Sequence, residues 1–416
     1  MRTTTGGIII IAILLLLDFY IFSVIRSIWF SSSPKTRFWI GAVYWFLAIV
    51  SIAGMILFVY TSPEVLGRKV RTYLFSLIAI LFFAKLAAAT FFIIDDLRRF
   101  FQWGGSKLFL SNTAADPVKG QGISRSAFMN WLGLAAGTSI FGTFLYGFGN
   151  QYNYHVIKQK LSFLNLPPAF RGLRILHISD IHSGTFMNPK AVQRGIDKIM
   201  AQKADIILFT GDLVNDMASE MKEYAAMFSR LNAPMGVYSV LGNHDYGDYM
   251  QWPQNGLTKH QNLERLKEVQ AGMGWKLLLN EHVVLKRGED EIALIGIENW
   301  SAKARFPKYG KMEPAYRGCE KYPFKILMSH DPSHWDAEIR PKYPDIDLML
   351  SGHTHGMQFG VEIPGFKWSP IEYVYKQWAG LYEEGKQKLY VNRGFGCIGY
   401  PGRVGILPEI TLIELA

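Results

Sequence analysis

Cysteine is almost missing from this chain: only Cys319 and Cys397 occur in 416 residues. No disulfide framework and no cysteine-based zinc site can be built from two. Charge is also scarce, at 19% of residues against 49% apolar, which excludes a disordered chain. No internal repeat or low-complexity segment is found, so a solenoid is excluded. The C-terminal part lacks a basic face. Residues 154–416 hold 31 basic and 29 acidic side chains, while 1–153 hold 13 and 5. Nucleic acid is therefore not an expected partner, and the N-terminal excess suits loops that flank a membrane.

What the chain does have is long apolar runs. Four of them, at 8–25, 38–60, 73–94 and 127–148, each approach the ~20 residues that cross a hydrocarbon core. No small-residue cleavage site follows the first run before Arg26, so a cleaved signal peptide is not expected. Two charges interrupt the runs, Asp18 in the first and Lys85 in the third. Ions in lipid are costly and find partners, so the two are expected to pair between helices. The loops on one side carry Arg26, Lys35, Arg37, Arg98, Arg99, Lys107, Lys119 and Arg125. The other side carries Arg2, Arg68, Lys69, Arg71, Lys158 and Lys160. Eight against six favours both termini outside.

The texture changes after Gly149. Region 1–153 is expected to be a multi-span transmembrane region and 154–416 a separate domain. A strand is predicted over 154–163. Further strands are predicted at 173–178, 206–210, 237–241, 292–297, 324–328, 348–350, 389–391 and 410–414. Helices are predicted at 191–202, 217–231 and 263–273. Alternating strands and helices imply a layered α/β fold.

Five short motifs follow predicted strands: Asp180-Ile181-His182, Gly211-Asp212, Gly242-Asn243-His244-Asp245, Ser329-His330-Asp331 and Gly352-His353-Thr354-His355. Strand ends are where layered α/β folds place their sites. In an extended segment residues i and i+2 point the same way, so Asp-x-His and His-x-His could each aim two ligands at one point. Imidazole, carboxylate and amide oxygen together suit Mn, Zn or Fe. Four histidines, two aspartates and an asparagine exceed the needs of one ion, and two divalent ions are expected. A single His-x-His is more often incidental; five motifs in this order are not.

This order resembles the calcineurin-like metallophosphoesterases, across 171–416. The wording of Gly352–Gly356 and of Tyr390–Gly396, then Pro408–Thr411, is similar to the membrane-anchored bacterial phosphodiesterase branch. The resemblance implies a four-layer double-ψ β-sandwich, preceded here by a bundle of about four transmembrane helices. It implies that Asp180, His182 and His355 hold one divalent ion, that Asn243, His330 and His353 hold the other, and that Asp212 bridges both. His244 would be the general acid that protonates the leaving oxygen. Protein phosphatases of this superfamily read GDxVDRG, whereas this chain reads Gly211-Asp212-Leu213-Val214-Asn215-Asp216. The phosphate-clamping arginine is replaced by Asp216, which argues against protein phosphatase activity. Asp216 or Asp245 is then expected to orient His244, and Arg393 is a candidate phosphate contact. His177 reads as a strand residue of the core. The aromatics between Phe366 and Tyr382 read either as a packed loop or as an apolar rim for lipid chains.

The expected activity is metal-dependent hydrolysis of a phosphodiester or pyrophosphate, with a lipid or envelope substrate and the bilayer as partner. An enzyme similar to the UDP-2,3-diacylglucosamine pyrophosphatases of lipid A synthesis is the alternative within that class. A non-catalytic metal-binding receptor or transporter is the alternative outside it. Segment 124–129, Ser-Arg-Ser-Ala-Phe-Met, resembles a twin-arginine export signal lacking its second arginine. With the loop charges it favours a catalytic domain on the outer, periplasmic face of a bacterial inner membrane. The cytosolic nucleotide sugar would need the opposite orientation.

Overall fold

The computed structural model of the chain describes residues 4–61, 67–109, 124–253 and 255–416. Arg2 and Lys119, counted among the loop charges, lie outside them. The chain divides into two compact units, Met1–Tyr146 and Gly147–Ala416.

The first unit is built from α1 (Thr4–Ile28), α2 (Pro34–Tyr60), α3 (Arg68–Phe109) and α4 (Arg125–Gly149), whose last residues enter the second unit. All four are long and apolar enough to cross a membrane. Their apolar side chains face outward as well as inward, with Leu16 71% and Phe46 65% exposed, as lipid-facing helices require. Ser33 starts α2: its hydroxyl accepts the Thr36 amide at 3.1 Å, and Pro34 occupies the first turn.

Asp18 and Lys85 are paired, with Lys85 Nζ 2.5 Å from Asp18 Oδ1. Tyr44 adds a hydroxyl that donates to the same oxygen at 2.9 Å. Helix α3 runs past its apolar stretch because Arg98 and Arg99 pair back along the helix to Asp95 and Asp96. Helices α3 and α4 touch closely where Gly133 and Gly137 face Ala84, Ala88 and Phe92. A Cβ on Gly137 would lie 2.8 Å from the Ala84 carbonyl oxygen.

The second unit holds two six-stranded sheets. The first runs β1 (His155–Leu161), β14 (Glu409–Leu415), β2 (Arg174–Ile178), β3 (Ile206–Phe209), β4 (Val237–Ser239), β5 (Lys276–Leu277). The second runs β12 (Gly380–Glu384), β13 (Gln387–Val391), β9 (Leu348–Ser351), β8 (Lys325–Met328), β7 (Asp290–Gly296), β6 (Glu281–Arg287). A small hairpin joins β10 (Val361–Ile363) to β11 (Phe366–Trp368). Strands β2 to β5 are parallel, as are β7, β8, β9 and β13.

Side-chain alternation sorts the core into layers. Ile175, Ile206 and Leu208 meet Leu294, Ile326, Met328 and Leu350 between the sheets. Leu176, Ile178, Ile207 and Phe209 face the other way, onto α5 (Pro189–Met200) and α6 (Lys259–Gly272). Ile295, Leu327 and Met349 pack outward on Met312, Trp335 and Ile339. The result is a four-layer α/β sandwich. Its central strands are buried on both faces, which is why they read as continuous apolar runs.

One predicted helix does not form as such. Residues 217–231 break into two short turns, Ala218–Met221 and Ala225–Phe228. The Glu220 carboxylate accepts the Asn215 and Met217 amides, and the Ala218 amide donates to Asn262, so tertiary bonds hold the segment against the site loops instead.

Candidate metal centre

All seven residues expected to hold metal come together at the C-terminal ends of β2, β3, β4, β8 and β9. They form two groups. In each, three donor atoms lie within 4.8 Å of one another: Asp180, His182 and His355 in one, Asp212, His330 and His353 in the other. Asp212 stands between the groups, with Oδ2 3.5 Å from His182 Nε2 and 3.1 Å from His330 Nε2. The Asn243 amide oxygen faces the second group, 3.1 Å from His330 Nε2 and 2.8 Å from His353 Nδ1. Tyr249 fixes that orientation by accepting from Asn243 Nδ2 at 2.9 Å.

The loops reach this geometry by a different route from the one the sequence suggested. Asp180, His182, Asp212, His353 and His355 are not extended; all five have positive φ, between 46° and 72°. Non-glycine residues seldom adopt this left-handed backbone, and it clusters at functional sites. The loops are tied to one another to sustain it. The Asp180 amide donates to the Gly211 carbonyl at 2.9 Å, and the His182 amide to the Asp212 carbonyl at 3.1 Å. The His353 amide donates to the Asp180 carboxylate at 2.9 Å. Gly352 is required for space, because a Cβ there would collide with Ser179 Oγ and Asp180 Oδ2.

The donor set fits divalent cations. Both ring nitrogens of His182 and Nε2 of His355 are buried and make no hydrogen bond. His355 Nε2 lies 3.1 Å from Asp180 Oδ1 without the alignment of a hydrogen bond. Buried polar atoms are rarely left this way unless something else satisfies them. Electrostatics agree. Burial alone would raise the Asp180 and Asp212 carboxyls, but the surrounding histidines hold both below the usual carboxylate range. Burial pushes His182 well down, His353 down to about 4, and His355 down, leaving neutral rings that can donate lone pairs. His330 is the exception. Burial would lower it, yet the charge of Asp212 raises it to about 10.

His244 is not in either group. Its amide donates to Asp212 Oδ1 at 2.8 Å and its Nδ1 donates to the Asn215 carbonyl at 2.8 Å. That carbonyl, rather than the side chain of Asp216 or Asp245, orients the ring. The Asp216 carbonyl accepts from Asn262 Nδ2 at 3.0 Å. Asp245 does something else: it accepts the amides of Gly242, Asp212, Leu213 and Val214 and so clamps two site loops together. Burial and the Asp212 charge raise it to about 7.

Arg393 also departs from its expected place. Its guanidinium is forked onto Glu409 and Glu362, each at 2.5 Å, and does not line the cavity. Arg403, which no motif marked, is fully buried and braces the Arg393 and His355 carbonyls at 2.7 and 3.2 Å. Asp331 and Tyr375 stand behind His353, whose Nε2 is 2.8 Å from the Tyr375 hydroxyl; that hydroxyl donates to Asp331 at 3.1 Å. The aromatic segment is split: Tyr375 and Trp378 are buried, while Phe366 and Tyr373 are 54% and 78% exposed. His177 is a buried strand residue, its Nε2 2.9 Å from the Thr210 hydroxyl.

Residues 173–357, which contain both donor groups, match the family model "Calcineurin-like phosphoesterase". The chain belongs to the calcineurin-like phosphoesterases. The four helices, for which the motifs offered no counterpart, also match a family model. Residues 1–150 fit "Probable Calcineurin-like phosphoesterase, transmembrane domain". The chain is thus an integral membrane calcineurin-like phosphoesterase. A zebrafish (Danio rerio) "Transmembrane protein with metallophosphoesterase domain" is 31% identical over 62% of this chain; the chain spans 57% of that protein's length. The uncharacterized metallophosphoesterase YkuE of Bacillus subtilis is 29% identical over 63% of this chain and 84% of its own length. Phosphodiesterase YaeI of Escherichia coli is 29% identical over 63% and 88%.

Proposed function

We propose that this protein is a membrane-tethered hydrolase of phosphodiesters or pyrophosphates that works with two divalent ions, drawn from Mn, Zn and Fe. One observation carries the reading: both donor groups open, together with His244, into one cavity of about 310 Å³. Asp180, His182 and His355 would hold one ion, and Asn243, His330 and His353 the other, with Asp212 shared. Bound there, such ions supply Lewis acidity and neutralise charge on phosphoryl oxygens.

The chain supplies the rest. The Asn215 carbonyl occupies His244 Nδ1, so Nε2 is the nitrogen left to pass a proton to the leaving oxygen. Asp245 keeps the Asp212 and Asn243 loops in register. The four spans support a membrane-borne substrate, such as a lipid or envelope phosphoester, because tethering raises the effective concentration of a reactant held in the same bilayer. The loop charges and segment 124–129 support a domain on the outer face of a bacterial inner membrane.

The test uses full-length protein loaded with Mn and bis(p-nitrophenyl) phosphate. Asp212→Asn is expected to lower both metal content and kcat, the latter by more than about 100-fold. His244→Asn is expected to keep its metal and lose about 100-fold in kcat on an alkyl leaving group, and less on p-nitrophenyl. Full turnover by metal-replete Asp212→Asn would refute the site, and an unchanged alkyl rate in His244→Asn would refute the proton donor.

A further inference from the structure

The same cavity is lined by two unlike kinds of side chain. Beyond the histidines, its lining includes Arg305 and Phe306 and an apolar set, Met357, Ile371, Ile398 and Tyr400. Three arginines lie around the site, and they differ in what they already hold. Arg393 is neutralised by Glu362 and Glu409. Arg403 is buried among backbone carbonyls. Arg305 is exposed, and among the described residues no carboxylate lies within ion-pair distance of it. Its guanidinium rests on the Phe306 ring at 4.6 Å, and its charge is felt at both Tyr249 and Tyr375.

The strap that presents it is well anchored. The Asn299 carbonyl accepts the Tyr309 and Gly310 amides at 2.8 and 2.9 Å, and Asn299 Nδ2 donates to the Pro307 carbonyl at 2.9 Å. The Phe306 ring stands edge-on to His353, 4.6 Å between centroids. The tip bearing Arg305 is therefore held beside the second donor group.

The apolar part of the lining is partly open. Met357 is 55% exposed, on a left-handed backbone with φ of 55°. Tyr400 packs at 5.1 Å on Phe148, at the end of α4 and within the same compact unit. Because one cavity includes both these side chains and the donor groups, a phosphoryl group bound between the histidines can carry a substituent that reaches them.

We propose that Arg305 binds an anionic oxygen of the substrate's phosphoryl group, and that Met357, Ile371, Ile398 and Tyr400 receive an alkyl arm esterified to it. The preferred substrate is thus an alkyl phosphodiester. The inference rests on the hydrolase reading above and narrows it. Arg305 takes the part left vacant where Asp216 replaces the arginine of the protein phosphatase motif. A guanidinium suits it because its planar donors match a phosphoryl group.

The experiment uses full-length, Mn-loaded protein in lipid nanodiscs and p-nitrophenyl alkyl phosphates from methyl to hexyl. With the wild type, kcat/KM should rise at least about tenfold along the series, since each buried methylene favours binding. Met357→Glu should flatten that rise. Arg305→Gln should raise KM at least about tenfold for every member with metal content unchanged, and Arg305→Lys should recover part of the loss. A flat series in the wild type would overturn the alkyl arm. An unchanged KM in Arg305→Gln would overturn the anion contact. Absence of turnover on all esters, including bis(p-nitrophenyl) phosphate, would instead refute the hydrolase reading itself.

Discussion

His353 shows how much of a site lies behind its ligands. Its Nδ1 faces Asn243 and His330, while its Nε2 meets Tyr375 and, through that hydroxyl, Asp331. Such a partner fixes which nitrogen carries the proton and so which one is free for a metal. Tyr375→Phe is expected to weaken binding of one of two Mn ions by about 10-fold while leaving the other unchanged. Isothermal titration would resolve the two, and two unchanged sites would remove Tyr375 from this role. The candidate ligand residues were legible in sequence because each sits in a short motif just after an apolar strand. Tyr375, Arg305 and Arg403 were not, because each comes from a loop outside the motifs and joins the site only after the sheets pack; Tyr249, six residues past Asn243, belongs to no motif that would mark it. The reasoning from alternation at Asp180 and His182 assumed the wrong geometry: their side chains converge through left-handed turns, not through strand pleat.

Elements differ in how far sequence reveals them. The doubly buried strands were visible as apolar runs, and β2, β3 and β8 fall within one or two residues of expectation. The edge strands β6 and β12 were missed because they are half exposed and carry mixed residues. Among the helices, the Asp18–Lys85 pair is what the pattern of apolar runs made conspicuous. Removing one partner leaves the other ion alone in lipid, whereas removing both does not. Asp18→Asn and Lys85→Gln are each expected to destabilise α1–α3 packing. The double variant should cost at least about 1 kcal/mol less than their sum. Additive losses in detergent unfolding would mean that the two ions do not support each other.

At the scale of the whole molecule, acid stability reports the buried sandwich. Burial lowers His177 to about 4, from 6.5 in an unfolded chain, against the weaker pull of Glu409 and Asp180. Between those values the unfolded chain binds a proton that the folded one refuses, so this contribution falls as pH falls from 6.5 to 4. By pH 5 the loss is about 2 kcal/mol. His177→Gln, which retains a donor for Thr210, should therefore lose less stability than the wild type between pH 7 and pH 5. Parallel melting curves for the two proteins across that range would count against the assignment.

The left-handed residues of the candidate metal centre have a consequence for any attempt to improve this protein. Each holds a side chain in a backbone region that costs on the order of 1 kcal/mol or more, and glycine would relieve that cost at once. Heat selection without an activity screen should therefore enrich substitutions such as Asp180→Gly and His353→Gly. The hardiest descendants would be the inert ones, and a library sorted only for survival would lose its chemistry first at the residues proposed to perform it.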